Sequence, residues 1–436
     1  MLAAAAPSMD QSPFFRRILH DRSKRKKKMD MKILFVNSVY NWGSTGKIVR
    51  SLFTACEADG CEPAVCYGRI MTAARPEAGK NVYKFGLDWE TRLHALLTRL
   101  TGRTGCFSHF STRRLLKFMD EFQPDIVNLH EPHAYFLDLK PFFEYIKEHN
   151  IPLVYTFHCE FAFTGKCGHP LECENWKHGC GKCPHLKDYP KTLFFDRTAS
   201  MLAEKNRLLH GQNMTLVCPS QWLAGRTKQS IPKDCDVHVI PNGIDTAVFK
   251  PQPAEELRRK LGIGNEKIVL AVAPDLSMEH KGIDKVLELA ERMKGDAVRF
   301  VLVGKKSDSM RFPENVTAVG RTENRLELAE YYSLADCFVI CSDMENLPTT
   351  CIEAVCCGTP VAGFDVGGTK ETAPEPLGRF CKYGDLDALE NNVRFFLAHK
   401  PDAALFDAAR EKYSLDEMYR RYRKIYDEML RHGKGE

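Results

Sequence analysis

CFVICSDMENLPTTCIEAVCCGTPVAGFDVGGTKE, Cys337 to Glu371, is the stretch on which the fold and chemistry of this chain turn. The run CFVIC reads as a buried strand, and the loop after it carries Glu345. A helix begins near Thr349, and Glu353 falls in its first turns, eight residues beyond Glu345. Gly358 and Pro360 lead into a second strand, PVAGF, and Gly367-Gly368 marks another tight loop. Two carboxylates near a strand's carboxyl edge are good acceptors for sugar and ribose hydroxyls. The helix N-terminus between them offers amide N–H groups and its dipole to a diphosphate. Either acid alone would read as an ordinary surface carboxylate.

The same alternation runs through almost the whole chain. In the first half the strand-like runs are MKILFV, PAVCYG, NVYKFG, DIVNLH, PLVYTFH and TLVCPS. In the second they are KIVLAVA, RFVLVG, VTAVG, CFVIC and PVAGF. Short apolar runs separated by helical patterns predict an α/β protein with parallel sheets buried on both faces. The halves meet near VIPNGIDTAVFKPQP, where a strand passes through an Asn-Gly turn into a proline-flanked linker. The expected architecture is two Rossmann-like, doubly wound domains facing across a cleft, with ligands at the carboxyl edges of the sheets. Residues 1–29 read as a disordered basic tail, 30–245 as the N-terminal domain with a Cys-rich insert at 159–190, and 246–413 as the C-terminal domain. Residues 414–436 form a final helix expected to strap the domains together.

Composition narrows the function classes. A chain of 436 residues with 44% hydrophobic and 27% charged residues suits two ordinary globular domains. A net charge of +5 is too small to argue for nucleic acid as a partner. No apolar run approaches the roughly 20 residues needed to span a bilayer, and the N-terminus lacks the pattern of a secretory signal. Most of the 17 cysteines lie in or near apolar runs, which suggests reduced thiols and a cytoplasmic setting. Charge is nevertheless uneven. RSKRKKK occupies residues 22–28, within a tail that an over-extended start would also explain, since Met29 and Met31 are alternative first residues. From Arg92 to Lys117 six basic residues, Arg92, Arg99, Arg103, Arg113, Arg114 and Lys117, stand with no acid between them. Trp89, Leu93, Leu96, Leu97 and Leu100 recur there at helical spacing, the pattern either of a basic helix on an anionic membrane surface or of a solvated domain face.

NSVYNWGSTGKIVRSL, Asn37 to Leu52, raises the alternative of an NTPase phosphate loop. Counting from Gly46-Lys47, the first glycine position is Asn41 and the magnesium-ligand position is Ile48, so two of four fixed positions fail. What remains is a tight strand-to-helix turn, or a glycine loop that lets a ligand approach the amides of a helix N-terminus.

Taken with the linker VIPNGID, the segment HKG around Lys281, and the pair Glu345/Glu353 flanked by CGTPVAGFDVGGTKE, the chain from about Met31 onward resembles the retaining glycosyltransferases of family 4, with the GT-B fold. The likeness is to capsule and exopolysaccharide members, colanic-acid-type among them. The resemblance implies that Glu345 contacts the transferred sugar, Glu353 the donor ribose and Lys281 the diphosphate. The backbone of Asn346, Leu347, Pro348 and Thr349 would line the phosphates, and the loop around Gly43 and Gly46 would contribute backbone to the donor. His158, ending PLVYTFH, matches a histidine facing the sugar near the reacting carbon. DIVNLHEPHAYFLD resembles a PD-x-V-H-L-H-N segment and puts His130 and His133 on the acceptor side. One departure stands out: the family pattern G-R-x-x-x-x-K-G has Pro274 or Asp275 here where its arginine is expected, with His280 or Arg321 as stand-ins.

After His158 the compact pattern is interrupted by CEFAFTGKCGHPLECENWKHGCGKCPHLKDYP. Cys167, Cys173, Cys180 and Cys183 read C-x5-C-x6-C-x2-C, a structural zinc site in a reducing compartment, with His169 and His178 as alternative ligands. Disulfides and unligated thiols are the other readings. The whole implies an enzyme moving a sugar from a nucleotide-diphosphate donor to a polysaccharide or polyprenyl-linked oligosaccharide, without a catalytic metal. It would work in the cytoplasm, with peripheral contact on the inner face of the membrane. The rival reading is a catalytically silent scaffold of the same fold.

Overall fold

The computed structural model describes residues 31–70, 79–230, 235–307, 310–322 and 324–432. The tail expected to be disordered, with its basic block, lies outside the described residues. The chain divides into two compact units, one running to Ile240 and resuming at Tyr419, the other comprising Pro241–Met418.

The first unit is built on seven strands: β1 (Lys32–Asn37), β2 (Glu62–Tyr67), β3 (Val82–Lys84), β4 (Ile126–Leu129), β5 (Leu153–Thr156), β6 (Met214–Cys218) and β7 (Asp236–Val239). Every pairing is parallel, in the order β3-β2-β1-β4-β5-β6-β7. The order reverses beside β1, so the sheet is doubly wound. Each of the four residues of β4 and of β5 is buried, which is why these strands read as continuous apolar runs rather than alternating ones. The helix Leu415–His432 packs into this unit. Its Tyr426 hydroxyl accepts a 2.7 Å hydrogen bond from the Asn128 side chain of β4, Tyr422 meets Thr156 of β5 at 3.1 Å, and Arg423 pairs with Asp59 at 2.5 Å.

The second unit repeats the plan with β8 (Lys267–Asp275), β9 (Val298–Lys305), β10 (Val316–Val319), β11 (Cys337–Ile340), β12 (Val361–Phe364) and β13 (Gly378–Cys381), in the order β10-β9-β8-β11-β12-β13. Again all pairings are parallel. Two apolar clusters cover its two faces, one around Leu270, Val301, Phe338 and Ile352, the other around Val269, Phe300, Val339 and Leu389. The sequence runs recover eleven of the thirteen strands among the described residues. β7 shows only as the approach to VIPNGID, and β13, GRFC, is absent from the expectation. Both are edge strands with half-exposed residues, so neither needs the apolar run that betrays an interior strand.

The insert is less independent than its sequence suggests. Phe161, Phe163 and Trp176 belong to the main core of the first unit. Lys166 is buried and donates to the carbonyls of Leu186, Asp188 and Pro190. The segment therefore has apolar and hydrogen-bonded anchors beyond its cysteines.

Candidate functional site

In the second unit three loops converge. β8 ends in a turn where Asp275 accepts from the amide and hydroxyl of Ser277, and the chain then reaches Lys281 through a single 3-10 turn. Gly282 follows at φ +65, and a Cβ there would run into the Cys341 carbonyl. The Asp343 amide donates to the His280 carbonyl at 3.1 Å. The Lys281 loop is thus laid directly on the loop leaving β11. From the other side, the Gly368 amide donates to the Glu345 carbonyl at 3.1 Å. Gly367, at φ +58, sits so close that a Cβ would strike that same oxygen. The glycines in DVGGTKE accordingly serve to let one loop cradle the backbone of Glu345.

These contacts bring Lys281 Nζ to 2.6 Å from Glu345 Oε1. Their side chains are 25% and 17% exposed, enough for a ligand to reach both. Asn346–Pro348 lead into the helix Thr349–Cys356, which has no side-chain cap at its N-terminus and no acid in its first turn. Its first amides and positive dipole end are left for another acceptor. Glu353, farther along this helix, accepts a 2.9 Å hydrogen bond from the buried Tyr332 hydroxyl. Burial raises the pKa of the Cys351 thiol; Glu345 and Glu353 raise it further and Lys281 lowers it. An ammonium group, two carboxylates and open helix amides in one place can hold a pyrophosphate and the hydroxyls of attached sugars. At the departure from the family pattern, Pro274 and Asp275 are the last two residues of β8, and Asp275 pairs with Lys305 at 3.8 Å. An acid and a turn occupy the place of the expected arginine; His280 and Arg321 are exposed.

In the first unit the glycine loop follows β1. Gly43, at φ +66, opens the helix Gly43–Ala58, again with no side-chain cap and no acid in the first turn. Gly46 is buried against Val39 and the Asn41 amide, so a side chain there would crowd the loop. Lys47 is exposed, unlike a lysine drawn into a phosphate loop.

At the carboxyl ends of the neighbouring strands β4 and β5, His130 and His158 stack and share a hydrogen bond, Nδ1 to Nε2, of 2.9 Å. Burial lowers the pKa of both; a charge on His158 would lower that of His130 further, while Glu131 raises and His133 lowers that of His158. His133 and Glu131, on the loop after β4, lie 3.6 Å apart, and Tyr189 of the insert packs edge-on to His133. Sequence reasoning placed His130, His133 and His158 singly. It missed that β4–β5 adjacency joins them into one cluster with Glu131 and Cys159.

The four insert cysteines are all thiols and line one small pocket with Thr164, Trp176 and Thr198. Cys167 and Cys183 hydrogen-bond to each other, and Cys180 Sγ accepts from the Gly165 amide at 3.3 Å.

A different surface surrounds the helix Asp88–Thr101. Its buried residues are the polar ones, Glu90, Thr91, His94 and Thr98. Glu90 accepts the amides of Phe110 and Ser111, capping the next helix, His109–Phe122. His94 Nδ1 donates to Ser108 Oγ, which itself donates to the Tyr135 carbonyl, while Nε2 accepts from the Gly105 amide at 3.1 Å. With Glu90 and His94 so engaged, although the Thr91 and Thr98 hydroxyls beside them have no partner, the apolar face is outside: Trp89 is 53% exposed, Leu96 50% and Phe110 56%. Leu93 and Leu100 are exposed too, and the segment of Phe194 and Phe195 is tied alongside through the Leu193 amide to the Arg99 carbonyl. Arg92, Arg99 and Arg113 are exposed. Of the other basic residues in this tract, Arg114 turns inward to Tyr83 and the Phe85 carbonyl, and Arg103 pairs with Glu204. Among the described residues no helix is long and apolar enough to cross a membrane.

Two doubly wound parallel α/β units, the second bearing a Lys/Glu pair at an open helix N-terminus, define the GT-B class of glycosyltransferase folds. Comparison with known proteins agrees. The Glycosyltransferase Family 4 model matches residues 45–248, and the Glycosyl transferases group 1 model matches residues 253–412. The chain belongs to this glycosyltransferase family. The putative colanic acid biosynthesis glycosyl transferase WcaC of Escherichia coli K12 is 30% identical over 270 residues, covering 59% of this chain and 64% of that protein. The chain thus aligns with a little under two thirds of that relative's length. Among solved structures, the sucrose-phosphate synthase of Thermosynechococcus elongatus matches with a TM-score of 0.65 at 18% identity, over 92% of this chain and 100% of that one. Anabaena HepE in complex with UDP matches with a TM-score of 0.63 at 16% identity, over 91% and 100%. At such identity these likenesses carry the fold alone.

Proposed function

We propose that the protein is a retaining glycosyltransferase that moves a sugar from a nucleotide-diphosphate donor to a polysaccharide or polyprenyl-linked oligosaccharide in cell-surface glycan synthesis. The observation that carries this is the Lys281–Glu345 contact of 2.6 Å beside the uncapped helix Thr349–Cys356. Breaking the sugar–phosphate bond builds negative charge on the departing diphosphate and positive character on the sugar. Lys281 and the Thr349 amides meet the first, and losing one such preorganised donor costs about 3–4 kcal/mol of barrier. Glu345 faces the sugar and Glu353 the ribose. The loop around Gly43 and Gly46 takes the donor contact that the family resemblance implies, and His158 attends the reacting carbon. The acceptor hydroxyl attacks from the leaving-group face, and the departing phosphate oxygen takes its proton, so the chemistry needs no metal on the diphosphate. His130 and His133 serve the acceptor side.

The inverted helix Asp88–Thr101 supports peripheral membrane contact. Half-exposed Trp89, Leu93, Leu96 and Phe110 would enter the headgroup region. Arg92, Arg99 and Arg113 would each add about 1 kcal/mol on an anionic leaflet. Cys167, Cys173, Cys180 and Cys183, which line one pocket, would draw together around a structural zinc that fixes the insert; their sulfurs are not gathered to ligand spacing in the structure. A second reading, the silent scaffold, is favoured by Asp275 standing where a second cation is expected. Transfer and donor hydrolysis across a panel of sugar nucleotides, in wild type and Glu345→Ala, separate the two. The enzyme reading expects turnover with one donor and a fall of at least about 100-fold in the variant; equal background rates in both mean the scaffold.

A further inference from the structure

Glu131, His133 and Cys159 each present one ligand atom, and the three atoms lie within 4.8 Å of one another. Two come from the loop after β4 and the third opens the insert just after β5, so parallel pairing of these strands is what gathers them. We propose that this trio is a binding site for a divalent cation of the zinc class, clamping the β4 loop to the root of the insert beside the His130–His158 pair.

The donor set is the first argument. One thiol, one imidazole and one carboxylate suit a borderline cation such as zinc, whereas magnesium and calcium take oxygen alone. Spacing is the second. Tetrahedral zinc with bonds of about 2.0–2.3 Å sets its ligand atoms about 3.3–3.8 Å apart. The Glu131 oxygen and His133 Nε2 are already at 3.6 Å, so closing the site asks only for a small shift of Cys159 Sγ. Location is the third. Three protein ligands leave a fourth position for water or a substrate hydroxyl, and His133 already packs against Phe161 and Tyr189 of the insert. The site lies wholly in the first unit and uses neither the residues assigned to the diphosphate nor the four cysteines of the insert pocket.

The test is metal content of full-length protein purified without chelator, for wild type, His133→Ala, Cys159→Ser and Glu131→Gln, followed by zinc titration of stripped samples. The expected result is one zinc fewer per chain in His133→Ala and Cys159→Ser than in wild type, and at least 10-fold weaker binding in Glu131→Gln. Cobalt substitution should give a thiolate-to-metal absorption that Cys159→Ser reduces but does not abolish if the insert cysteines also load. Melting of the stripped proteins separates loss of metal from loss of fold, and Glu131→Gln, which keeps size and hydrogen bonding, decides should the other two unfold. Equal zinc in all four proteins, with equal affinity, overturns the proposal and leaves a hydrogen-bonded cluster only. Because the readout is metal content, the outcome is independent of sugar transfer.

Discussion

Glu345 pairs with Lys281 at 2.6 Å, so a donor must compete for that ammonium group. The sugar's hydroxyls then give Glu345 new partners as the lysine turns to phosphate, which links sugar recognition to diphosphate grip through one side chain. His94 shows a different residue-scale constraint. Burial first, and then the charge of His109, lower its pKa from 6.5 to about 3. Its Nε2 accepts from Gly105, so protonation would force two N–H groups together. Between the two values the unfolded chain holds the proton and the folded one does not. The stability tied to neutral His94 is therefore complete above about 6.5 and is lost as pH falls toward 3, on the order of 5 kcal/mol in all. Thermal melting between pH 7 and pH 4 should fall more steeply for wild type than for His94→Gln; parallel curves would contradict this. The Lys281, Glu345 and Glu353 trio was legible because its members sit in one short run and one signature segment. Glu131 and Cys159 were not, because nothing in a linear pattern states that β4 and β5 end side by side.

Among the elements, the helix Asp88–Thr101 defeats the usual rule that apolar side chains mark the buried face. Sequence periodicity finds the stripe of Trp89, Leu93, Leu96 and Leu100 but cannot say which side it faces. The answer lies in Glu90 and His94, whose hydrogen bonds cap one helix and close one loop. Satisfying buried polar groups fixes the orientation, since leaving a buried donor or acceptor unpaired costs about 1–3 kcal/mol. The double variant Leu93→Glu/Leu96→Glu should keep the wild-type melting temperature, because both positions are exposed. It should also lose sedimentation with vesicles of anionic phospholipid. Unchanged vesicle binding would assign the patch to another partner; a collapsed melting temperature would mean that the face is internal. Edge strands are the converse case: β13 escaped notice because half-exposed GRFC carries no apolar signature.

At the scale of the whole molecule, the two sheets follow one plan, with strands paired in parallel and their order reversing beside β1 and β8. Interior strands buried on both faces made that plan readable as apolar runs, while the division falls between Ile240 and Pro241, inside VIPNGID and ahead of the proline-flanked segment. The chain's return at Tyr419 to the first unit was less so, since tyrosines bonded to Asn128, Thr156 and Asp59 carry no local pattern. The most direct test is calorimetric titration of nucleoside diphosphates into wild type, Lys281→Met and Glu345→Ala. One diphosphate should bind wild type, bind Lys281→Met about 10- to 100-fold more weakly through loss of a charged hydrogen bond, and bind Glu345→Ala at least as tightly as wild type. If every diphosphate binds Lys281→Met as well as wild type, or none binds the wild-type protein, the ammonium-and-amide grip on the pyrophosphate does not exist.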